Sequence, residues 1–324
     1  MPTHDQPKEG EVTLALIIAG PTACGKSALA MDVAEHFNGT VINADSQQVY
    51  KELRLLSARP SIEDEKRVPH RLYGMMNGNE VCSAGRWVDL CGAEVNEAIS
   101  QGRLPIIVGG TGMYLKSLTE GLSPIPDVPA HVRTRASARH KELGAEAFHE
   151  EVSQLDPVSG VRLPIGDTQR LLRAWEVSIF TGRAFSEWYD EPRILPLPGV
   201  RFATLAITPP RDQLYAAIDA RFLRMVDAGA LDEVRALAAQ GLDPGLPLMK
   251  ALGVPQLLAY EAGDLTLEEA IQQAQKRSRN YAKRQLTWLR NQIESDYRLD
   301  AQYSKRFCDE IFSFVHEFLL TGEA

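Results

Sequence analysis

The stretch GPTACGKS, residues 20–27, follows the short apolar run LALIIA and precedes a helical pattern. A strand, a glycine-rich loop of this spacing and a helix together form a cradle for phosphates, because the loop amides and the helix N-terminus point at the anion. The lysine supplies positive charge to the terminal phosphate, and the serine hydroxyl is placed to bind Mg²⁺. The predicted phosphate-binding or nucleotide-binding residues are Gly20, Pro21, Thr22, Ala23, Cys24, Gly25, Lys26 and Ser27, with Ser27 as the predicted metal ligand.

The chain around this loop alternates short apolar runs with helical patterns up to about residue 121. The runs TVINAD (40–45) and LPIIVGG (104–110) are of the strand type, and RFATLAIT (201–208) resumes that type later. Short apolar strands separated by helices indicate a parallel sheet that is covered on both faces. We therefore predict an α/β fold, in which a P-loop-type parallel sheet is flanked by helices.

The middle of the chain has a different character. The stretch SPIPDVP (123–129) contains three prolines in seven residues and marks a break, and residues 130–191 show helical patterns only. We predict an inserted all-helical domain at residues 122–199. The catalytic core is then discontinuous, formed by residues 1–121 and by a mostly helical C-terminal part at 200–324.

Composition narrows the class of protein. The 324 residues are 44% hydrophobic, and their longest apolar stretches are far too short to cross a bilayer. The polar N-terminal segment MPTHDQPKEGEV does not have the pattern of a signal or transit peptide. The four cysteines include no C-x-x-C pair, which fits a reducing compartment. We expect a cytoplasmic protein with no membrane partner, and a monomer.

Two more features are expected beside the phosphate loop. Asp45 ends the run TVINAD, where a carboxylate points into the cleft and can bind metal, act as a general base or cap the next segment. The run LPIIV ends in Gly-Gly-Thr-Gly (109–112), which suggests close approach of a substrate, with Thr111 as a hydroxyl in the cleft. An energy-transducing ATPase is disfavoured, because such enzymes commonly end a neighbouring strand with an Asp that holds Mg²⁺. A small-molecule or nucleotide kinase with Asp45 as base stays an alternative.

Basic side chains cluster on predicted helices, although the net charge of the chain is −8. Gln169, Arg170 and Arg173 fall on one side of a helix in the insertion. A later helix has a basic face and an opposite stripe that is expected to pack on the core. Each cluster alone is typical of a solvated helix face, but together with a phosphate loop they favour a polyanionic partner. The basic face carries Lys276, Arg279, Lys283 and Arg290, and the stripe carries Ile271, Ala274, Tyr281 and Leu289.

Several stretches together resemble one family, the bacterial tRNA dimethylallyltransferases. GPTACGKSALA is similar to the family's GPTASGKT/S loop, and INADSQQVYKEL is similar to its DSxQxYxxL segment. PHRL, LPIIVGGTGMYLKSL and DTQRLLRAWEVSIFTG resemble its PHHL, GGTGLYxxAL and QRxxRALEVxxxTG patterns. AKRQLTWLR resembles its AKRQxTWxR. The resemblances occur in the family's order and extend over nearly the whole chain.

The resemblance implies transfer of a dimethylallyl group from dimethylallyl diphosphate to N6 of adenosine 37 in the anticodon loop of tRNAs that read codons beginning with U. It implies release of diphosphate, Mg²⁺ as cofactor and the anticodon stem-loop as partner, clamped by the helical insertion. Asp45 is then the general base, Thr111 a channel residue that touches the substrates, and Arg221 a diphosphate ligand. The implied tRNA-binding residues are Asp45, Ser46, Gln47, Gln48, Gln169, Arg170, Leu171, Leu172 and Arg173.

Three other functions are compatible with parts of the pattern. A kinase needs the phosphate loop and Asp45 but no basic clamp. An isopentenyltransferase that acts on free adenine nucleotides needs the same chemistry without a polymer substrate. A nucleotide-switched RNA-binding protein without catalysis needs loops that sense the last phosphate, and the sequence contains no convincing signature of such loops.

Overall fold

The computed structural model describes residues 13–322 of the chain. The polar N-terminal segment that entered the expectation about localisation lies outside these residues. The described chain forms two compact units. One, here called the sheet unit, comprises residues 13–119 and 196–322, and the other, the helical unit, is Glu120–Leu195.

Within residues 13–322, six strands form one sheet, and every pair of neighbouring strands is parallel. The strands are β1 (Thr13–Ala19), β2 (Gly39–Asn43), β3 (His70–Arg71), β4 (Leu104–Gly109), β5 (Val200–Ile207) and β6 (Tyr297–Leu299). Their order across the sheet is β3-β2-β4-β1-β5-β6. Every residue of β2 and β4 is buried, as expected for strands covered on both faces. The predicted α/β fold with a parallel sheet is confirmed.

The edge strands β3 and β6 were not predicted from the sequence. They are two and three residues long, so neither produces an apolar run that stands out from its surroundings. β6 follows a stretch with a strong helical pattern, and only its pairing with β5 through Leu205–Ile207 makes it a strand.

The helices of the described chain cover both faces of the sheet and build the helical unit. They are α1 (Lys26–His36), α2 (Ile62–Arg67), α3 (Ala84–Ser100), α4 (Gly112–Glu120), α5 (Ala130–Leu155), α6 (Pro157–Arg162), α7 (Thr168–Thr181), α8 (Arg211–Asp227), α9 (Ala230–Ala238), α10 (Val254–Glu261), α11 (Leu267–Gln292) and α12 (Cys308–Leu320). Short 3-10 helices occur at Phe185–Tyr189, Leu248–Lys250 and Lys305–Phe307.

Among the apolar clusters that hold the sheet unit together, two position its functional loops. One joins α1, α8 and α12 to the sheet through residues such as Leu29, Leu214 and Ile311. The other packs the chain after β2 against α8, α9 and α10, with Leu53 and Phe222 among its buried members. Because burying a large apolar side chain stabilises the fold by about 1.5–3 kcal/mol, this second cluster holds the loop after β2 firmly in place.

The helical unit has a core of its own. Phe148 and Trp175 are buried between α5 and α7. α5 is interrupted at Gly144, which has a positive φ of 77° that an L side chain rarely adopts. α7 begins after Asp167, whose carboxylate accepts a hydrogen bond from the Arg170 amide as an N-cap.

Candidate functional site

The phosphate loop follows the central strand β1 and ends at the first residue of α1. Gly25 has a φ of +98°, and a Cβ there would lie 2.8 Å from the Cβ of Tyr303, so both conformation and space require glycine. Gly25 also provides no side chain to cap α1. The first amides of α1 are therefore available to an anion at the positive end of the helix.

The two functional side chains of the loop differ in their surroundings. Lys26 Nζ donates a hydrogen bond to the Pro21 carbonyl at 2.7 Å, so the ammonium folds back over the loop. Ser27 is exposed in the first turn of α1. Cys24 is fully buried, and burial raises the pKa of its thiol. Its neutral side chain packs beneath the loop, 2.8 Å from where a Cβ on Gly20 would lie.

A cavity of about 280 Å³, here called the loop cavity, opens beside the phosphate loop. Asp45 and Arg221 line it together with Lys26 and Ser27. The Arg221 guanidinium donates to the Thr22 hydroxyl, and burial lowers its pKa while the Asp45 charge opposes that shift. The structure thus brings three predicted site elements, the loop, Asp45 and Arg221, to the walls of one cavity.

Asp45 lies in a tight turn after β2. Its Oδ1 accepts a hydrogen bond from the Gln47 amide at 2.9 Å, and its own amide donates to Asn43 Oδ1 at 2.8 Å. The carboxylate therefore stabilises the turn locally. The same turn is held from the other side by Thr111, whose hydroxyl oxygen accepts from the Ser46 amide at 2.9 Å. Thr111 positions the turn that carries Asp45.

The glycines around Thr111 are needed by the protein itself. A Cβ on Gly109 would lie 2.1 Å from the Ala44 carbonyl oxygen, and one on Gly112 would lie 2.3 Å from the Trp288 ring. A Cβ on Gly110 would lie 2.2 Å from Gln285 Nε2. Close packing of neighbouring backbone and side chains of the same chain therefore explains the glycines at these positions, and the approach of a substrate there stays a prediction.

Gln285 of α11 connects the phosphate loop to the end of β4. Its Oε1 accepts from the Thr22 amide at 2.8 Å, and its Nε2 donates to the Gly110 carbonyl at 2.9 Å. This nearly buried amide sets the spacing between the loop and the Thr111 segment. Sequence reasoning missed it, because AKRQLTWLR was interpreted only as part of a basic helix and a family motif.

Gln47 and Gln48 have different environments although both were predicted to contact RNA. Gln48 Nε2 donates to the carbonyls of Ser57 and Ala58 at 2.9 and 3.0 Å, so both of its N–H groups serve the fold. Gln47 Oε1 is buried without a hydrogen-bond partner among the described residues. A buried unpaired amide oxygen carries a cost of about 1–3 kcal/mol, which a bound donor would relieve.

Two further cavities continue from the loop cavity in a row. A small middle cavity shares Thr22, Asp45 and Arg221 with it. A basic cavity of about 410 Å³ shares Gln47, Leu252 and Tyr281 with the middle cavity. The other apolar residues of the middle cavity include Leu56, Ile218, Phe222 and Met225, and the remaining residues of the basic cavity are Lys250, Arg277, Asn280 and Arg284.

Glu233 of α9 fixes the loop that contributes Leu56 to the middle cavity. Its carboxylate accepts hydrogen bonds from the amides of Arg54, Leu55 and Leu56, the latter two at 2.9 Å. A carboxylate that accepts three backbone N–H bonds is a strong local anchor, because charge-assisted bonds exceed neutral ones in strength. No motif in the sequence indicates this contact.

The basic cavity is lined by residues of α11 other than those of the predicted basic face. Its arginines are Arg277 and Arg284, each one position beyond the predicted Lys276 and Lys283. Arg279 of the predicted face instead forms an ion pair with Asp219 at 2.6 Å. The predicted core stripe is right for the buried Ala274 and Leu289. Tyr281 was predicted to pack on the core, but this residue also lines the basic cavity.

Tyr281 faces Asp45 and Thr111 as well as the cavity. Burial and the Asp45 charge raise its pKa, while a hydrogen bond with Thr111 opposes the rise. The phenol is therefore neutral at physiological pH.

The predicted residues of α7 separate into exposed and buried side chains. Gln169 and Arg170 are exposed, and Arg170 pairs with Asp167 at 2.9 Å. Arg173 pairs with Glu176 at 3.6 Å and is partly exposed. Leu171 is fully buried in the core of the helical unit, and the half-buried Leu172 packs against that core. The side chain of Leu171 thus belongs to the core of the helical unit, and the assignment of Leu171 as a tRNA-binding residue stays a prediction.

The described residues 13–322 contain no group of three or more His, Cys, Asp or Glu side chains that could hold a metal ion. The exposed Ser27 hydroxyl on the wall of the loop cavity fits a cation whose other ligands are phosphate oxygens and water, a mode that suits Mg²⁺. In the same part of the chain, no helix has the length and apolar character needed to span a bilayer.

Comparison with known proteins identifies relatives along nearly the whole chain. Residues 48–292 match the family described as IPP transferase. The chain is 59% identical to the tRNA dimethylallyltransferase of Rhodospirillum centenum over 88% of this chain and 91% of that protein. It is 50% identical to the tRNA dimethylallyltransferase of Rhodospirillum rubrum over 95% of each.

Solved structures show the same architecture. The tRNA isopentenylpyrophosphate transferase of Bacillus halodurans is 30% identical and matches with a TM-score of 0.70 over 96% of this chain and 98% of that one. A eukaryotic dimethylallyltransferase solved acting on tRNA shares the fold, with a TM-score of 0.81 at 24% identity over 95% of this chain and 80% of that one.

Proposed function

Since this chain belongs to the IPP transferase family and transfers a prenyl group to tRNA, we propose that its three adjoining cavities divide that reaction among them. The loop cavity holds the diphosphate of dimethylallyl diphosphate, the middle cavity holds its apolar dimethylallyl group, and the basic cavity holds the RNA beside the target adenosine. One observation carries the proposal: Asp45 and Arg221 line both the loop cavity and the middle cavity. A carboxylate and a guanidinium therefore converge where the allylic bond must break.

The loop side of this arrangement stabilises the leaving group. Breaking the allylic C–O bond leaves the electron pair on diphosphate, whose charge is met by Lys26, Arg221 and the first amides of α1. Lys26 exchanges the Pro21 carbonyl for a phosphate oxygen. Mg²⁺, held by Ser27 and diphosphate oxygens, supplies additional charge neutralisation when bound.

The acceptor side uses the turn after β2. The acceptor is N6 of adenosine 37, an aromatic amine that is a poor nucleophile and must lose a proton as the new N–C bond forms. Asp45 accepts that proton as general base. The adenine leaves the stack of the anticodon loop to reach the carboxylate, and the unpaired Gln47 Oε1 offers it an acceptor. Thr111 keeps this turn in place through its hydrogen bond with the Ser46 amide.

The RNA is bound by positive charge outside the reacting centre. Lys250, Arg277 and Arg284 line the basic cavity, and Arg170 and Arg173 provide exposed cations in the helical unit. Such side chains bind RNA mostly through its phosphates, and sequence preference comes from unstacked loop bases. The substrates are then tRNAs that read codons beginning with U, and the enzyme acts as a cytoplasmic monomer.

One assay tests the proposal. Purified protein is incubated with Mg²⁺, labelled dimethylallyl diphosphate and unmodified tRNA that carries A36-A37-A38, and a matched tRNA with guanosine 37 serves as the control. We expect label at N6 of adenosine 37 only. Parallel reactions contain free adenine nucleotides, or ATP with small hydroxyl acceptors. Transfer to neither tRNA, together with ATP-dependent phosphorylation of a small acceptor, would overturn the proposal in favour of a kinase.

A further inference from the structure

The 3-10 helix Phe185–Tyr189 in the helical unit presents an aromatic ring at the surface. Tyr189 is 49% exposed, which is unusual for a large aromatic side chain. Phe185 packs edge-on against its ring at 5.1 Å between centroids. The Arg162 guanidinium of α6 lies 5.8 Å from the ring centroid. The ring is thus held by the edge contact with Phe185 and by the guanidinium over it, while about half of the residue's surface stays exposed.

Four arginines act electrostatically on Tyr189, and three of them already pair with a carboxylate: Arg170 with Asp167, Arg173 with Glu176 and Arg193 with Glu120. Burial of part of the ring raises the pKa of Tyr189, and four arginines act to lower it. Arg162 forms no ion pair with any residue in the described part of the chain. The four arginines are Arg162 of α6, Arg170 and Arg173 of α7, and Arg193.

The neighbouring acids are neutralised by a different arginine. Arg183 pairs with Glu187 at 3.0 Å and with Glu191 at 2.8 Å, and its guanidinium lies 4.7 Å from the centroid of the Trp188 ring. Both glutamates are therefore committed to Arg183, next to Trp188. Arg162 thus remains beside the half-exposed ring of Tyr189 as an arginine without an ion pair among the described residues.

An exposed ring among arginines matches the chemistry of a splayed nucleotide. Bases stack on aromatic faces, and arginines bind the adjacent phosphates, whereas a paired stem hides its base faces inside the helix. The ion pair of Arg170 with Asp167 does not oppose this role, because exposed pairs of this kind are worth only about 0–1 kcal/mol and exchange readily for a phosphate.

We propose that Tyr189 is a stacking platform for one unpaired nucleotide of the anticodon arm, and that Arg162 and Arg170 bind the phosphates that flank it. This inference rests on the proposed function, since it takes tRNA as the substrate. Tyr189 lies outside the QRLLR segment (169–173) through which the sequence first indicated RNA contact.

The stacking is tested with anticodon stem-loop RNAs that carry 2-aminopurine at one loop position at a time. We expect binding of the wild-type protein to quench the fluorescence at one position. Tyr189→Ala removes that quenching and raises the Kd for the RNA about 10-fold, within the range measured for base stacking on aromatic residues. Tyr189→Phe retains both properties, because stacking needs the ring and not the hydroxyl.

Tyr215 provides a matched control. The Arg211 guanidinium lies 5.0 Å from its ring centroid, so Tyr215→Ala removes a similar arginine–tyrosine contact in the sheet unit. It should leave RNA quenching and Kd unchanged. If Tyr189→Ala unfolds at the assay temperature, Tyr189→Leu replaces it, since leucine retains apolar packing against Phe185 without an aromatic face.

The charge part of the proposal has a separate readout. Arg162→Gln should reduce the slope of log Kd against log salt concentration by about 0.7–1, the contribution of one phosphate contact. Quenching that persists at that loop position in the alanine or leucine variant, with Kd within two-fold of wild type, overturns the stacking platform. A wild-type protein that binds or prenylates no stem-loop would instead contradict the proposed function.

Discussion

The cations of the sheet unit and those of the helical unit are held in opposite ways. At the phosphate loop, Lys26 and Arg221 are fixed by hydrogen bonds to the loop itself, and Arg221 is half-buried in the cavity that Asp45 also lines. In the helical unit, Arg170 is exposed and pairs with a carboxylate three residues away in the chain. Electrostatic interactions are strong where water is excluded and weak where it is not. The fixed cations of the phosphate loop suit the breaking of a bond at one position. The exposed cations of the helical unit suit adaptable binding of a polymer.

The largest expected effect is at Asp45. Asp45→Asn retains an oxygen for the Gln47 amide but removes the proton acceptor, so kcat should fall about 10²–10⁴-fold, the usual contribution of a general base. The Kd for tRNA should stay within a few-fold of wild type. Single-turnover prenylation and RNA binding measure the two quantities. Asp89→Asn, an exposed acid on α3, is the control, and near-normal turnover of the Asp45 variant would remove Asp45 as the base.

Arg221 should give the next largest effect. Arg221→Gln removes a charge aimed at the leaving diphosphate, and we expect kcat/KM for dimethylallyl diphosphate to fall about 10²-fold, as for the loss of one preorganised donor. Arg224 lines the same cavity from an exposed position, so Arg224→Gln should cost less than about 10-fold, in line with weak exposed charges. Equal losses of kcat/KM in the two variants would contradict the difference between a cation held by the phosphate loop and an exposed one.

Substitution of Glu233 tests how much the anchoring of a loop, as opposed to a charge in the site, contributes to stability and to substrate binding. Glu233→Gln places an amide group against three backbone N–H donors, so we expect a loss of about 1–3 kcal/mol in the free energy of unfolding. Because the anchored loop carries Leu56 to the middle cavity, KM for dimethylallyl diphosphate should also rise. Denaturant titration and steady-state kinetics measure both. Asp232→Asn, on the exposed side of α9, should change neither the free energy of unfolding nor KM. An unchanged KM for the Glu233 variant would contradict a role of the anchored loop in binding dimethylallyl diphosphate.

The smallest effect is expected in the helical unit. Arg170→Gln should weaken tRNA binding by a few-fold at low salt and reduce the salt slope by about 0.7–1, with kcat unchanged. The comparison variant Leu171→Ala, at the adjacent buried position, should instead lower stability by about 2–5 kcal/mol. A large fall in kcat for Arg170→Gln would show that the helical unit takes part in the chemical step.

Most of the sheet and the centre of the site were predictable from the sequence. Strands β1, β2, β4 and β5 are apolar runs bounded by clear helical patterns, and the carboxyl ends of parallel strands meet at one edge, so Asp45 falls beside the phosphate loop. The contribution of α11 was harder to predict. Lys276 and Arg277 are adjacent, and only a rotation of about 100° around the helix separates the solvated face from the one that lines the basic cavity.

The sequence by itself therefore determined the parts that depend on neighbours in the chain. These are the phosphate loop between β1 and α1, the turn at Asp45, the alternation of strands and helices, and the family to which the motifs point. Only the tertiary structure decided which side chains meet across long separations. Gln285 joins two loops, Glu233 anchors a third, and Leu171 is buried while Arg170 is exposed. The physical reason is that the burial and the hydrogen bonding of a helix face depend on packing partners that are distant in the sequence.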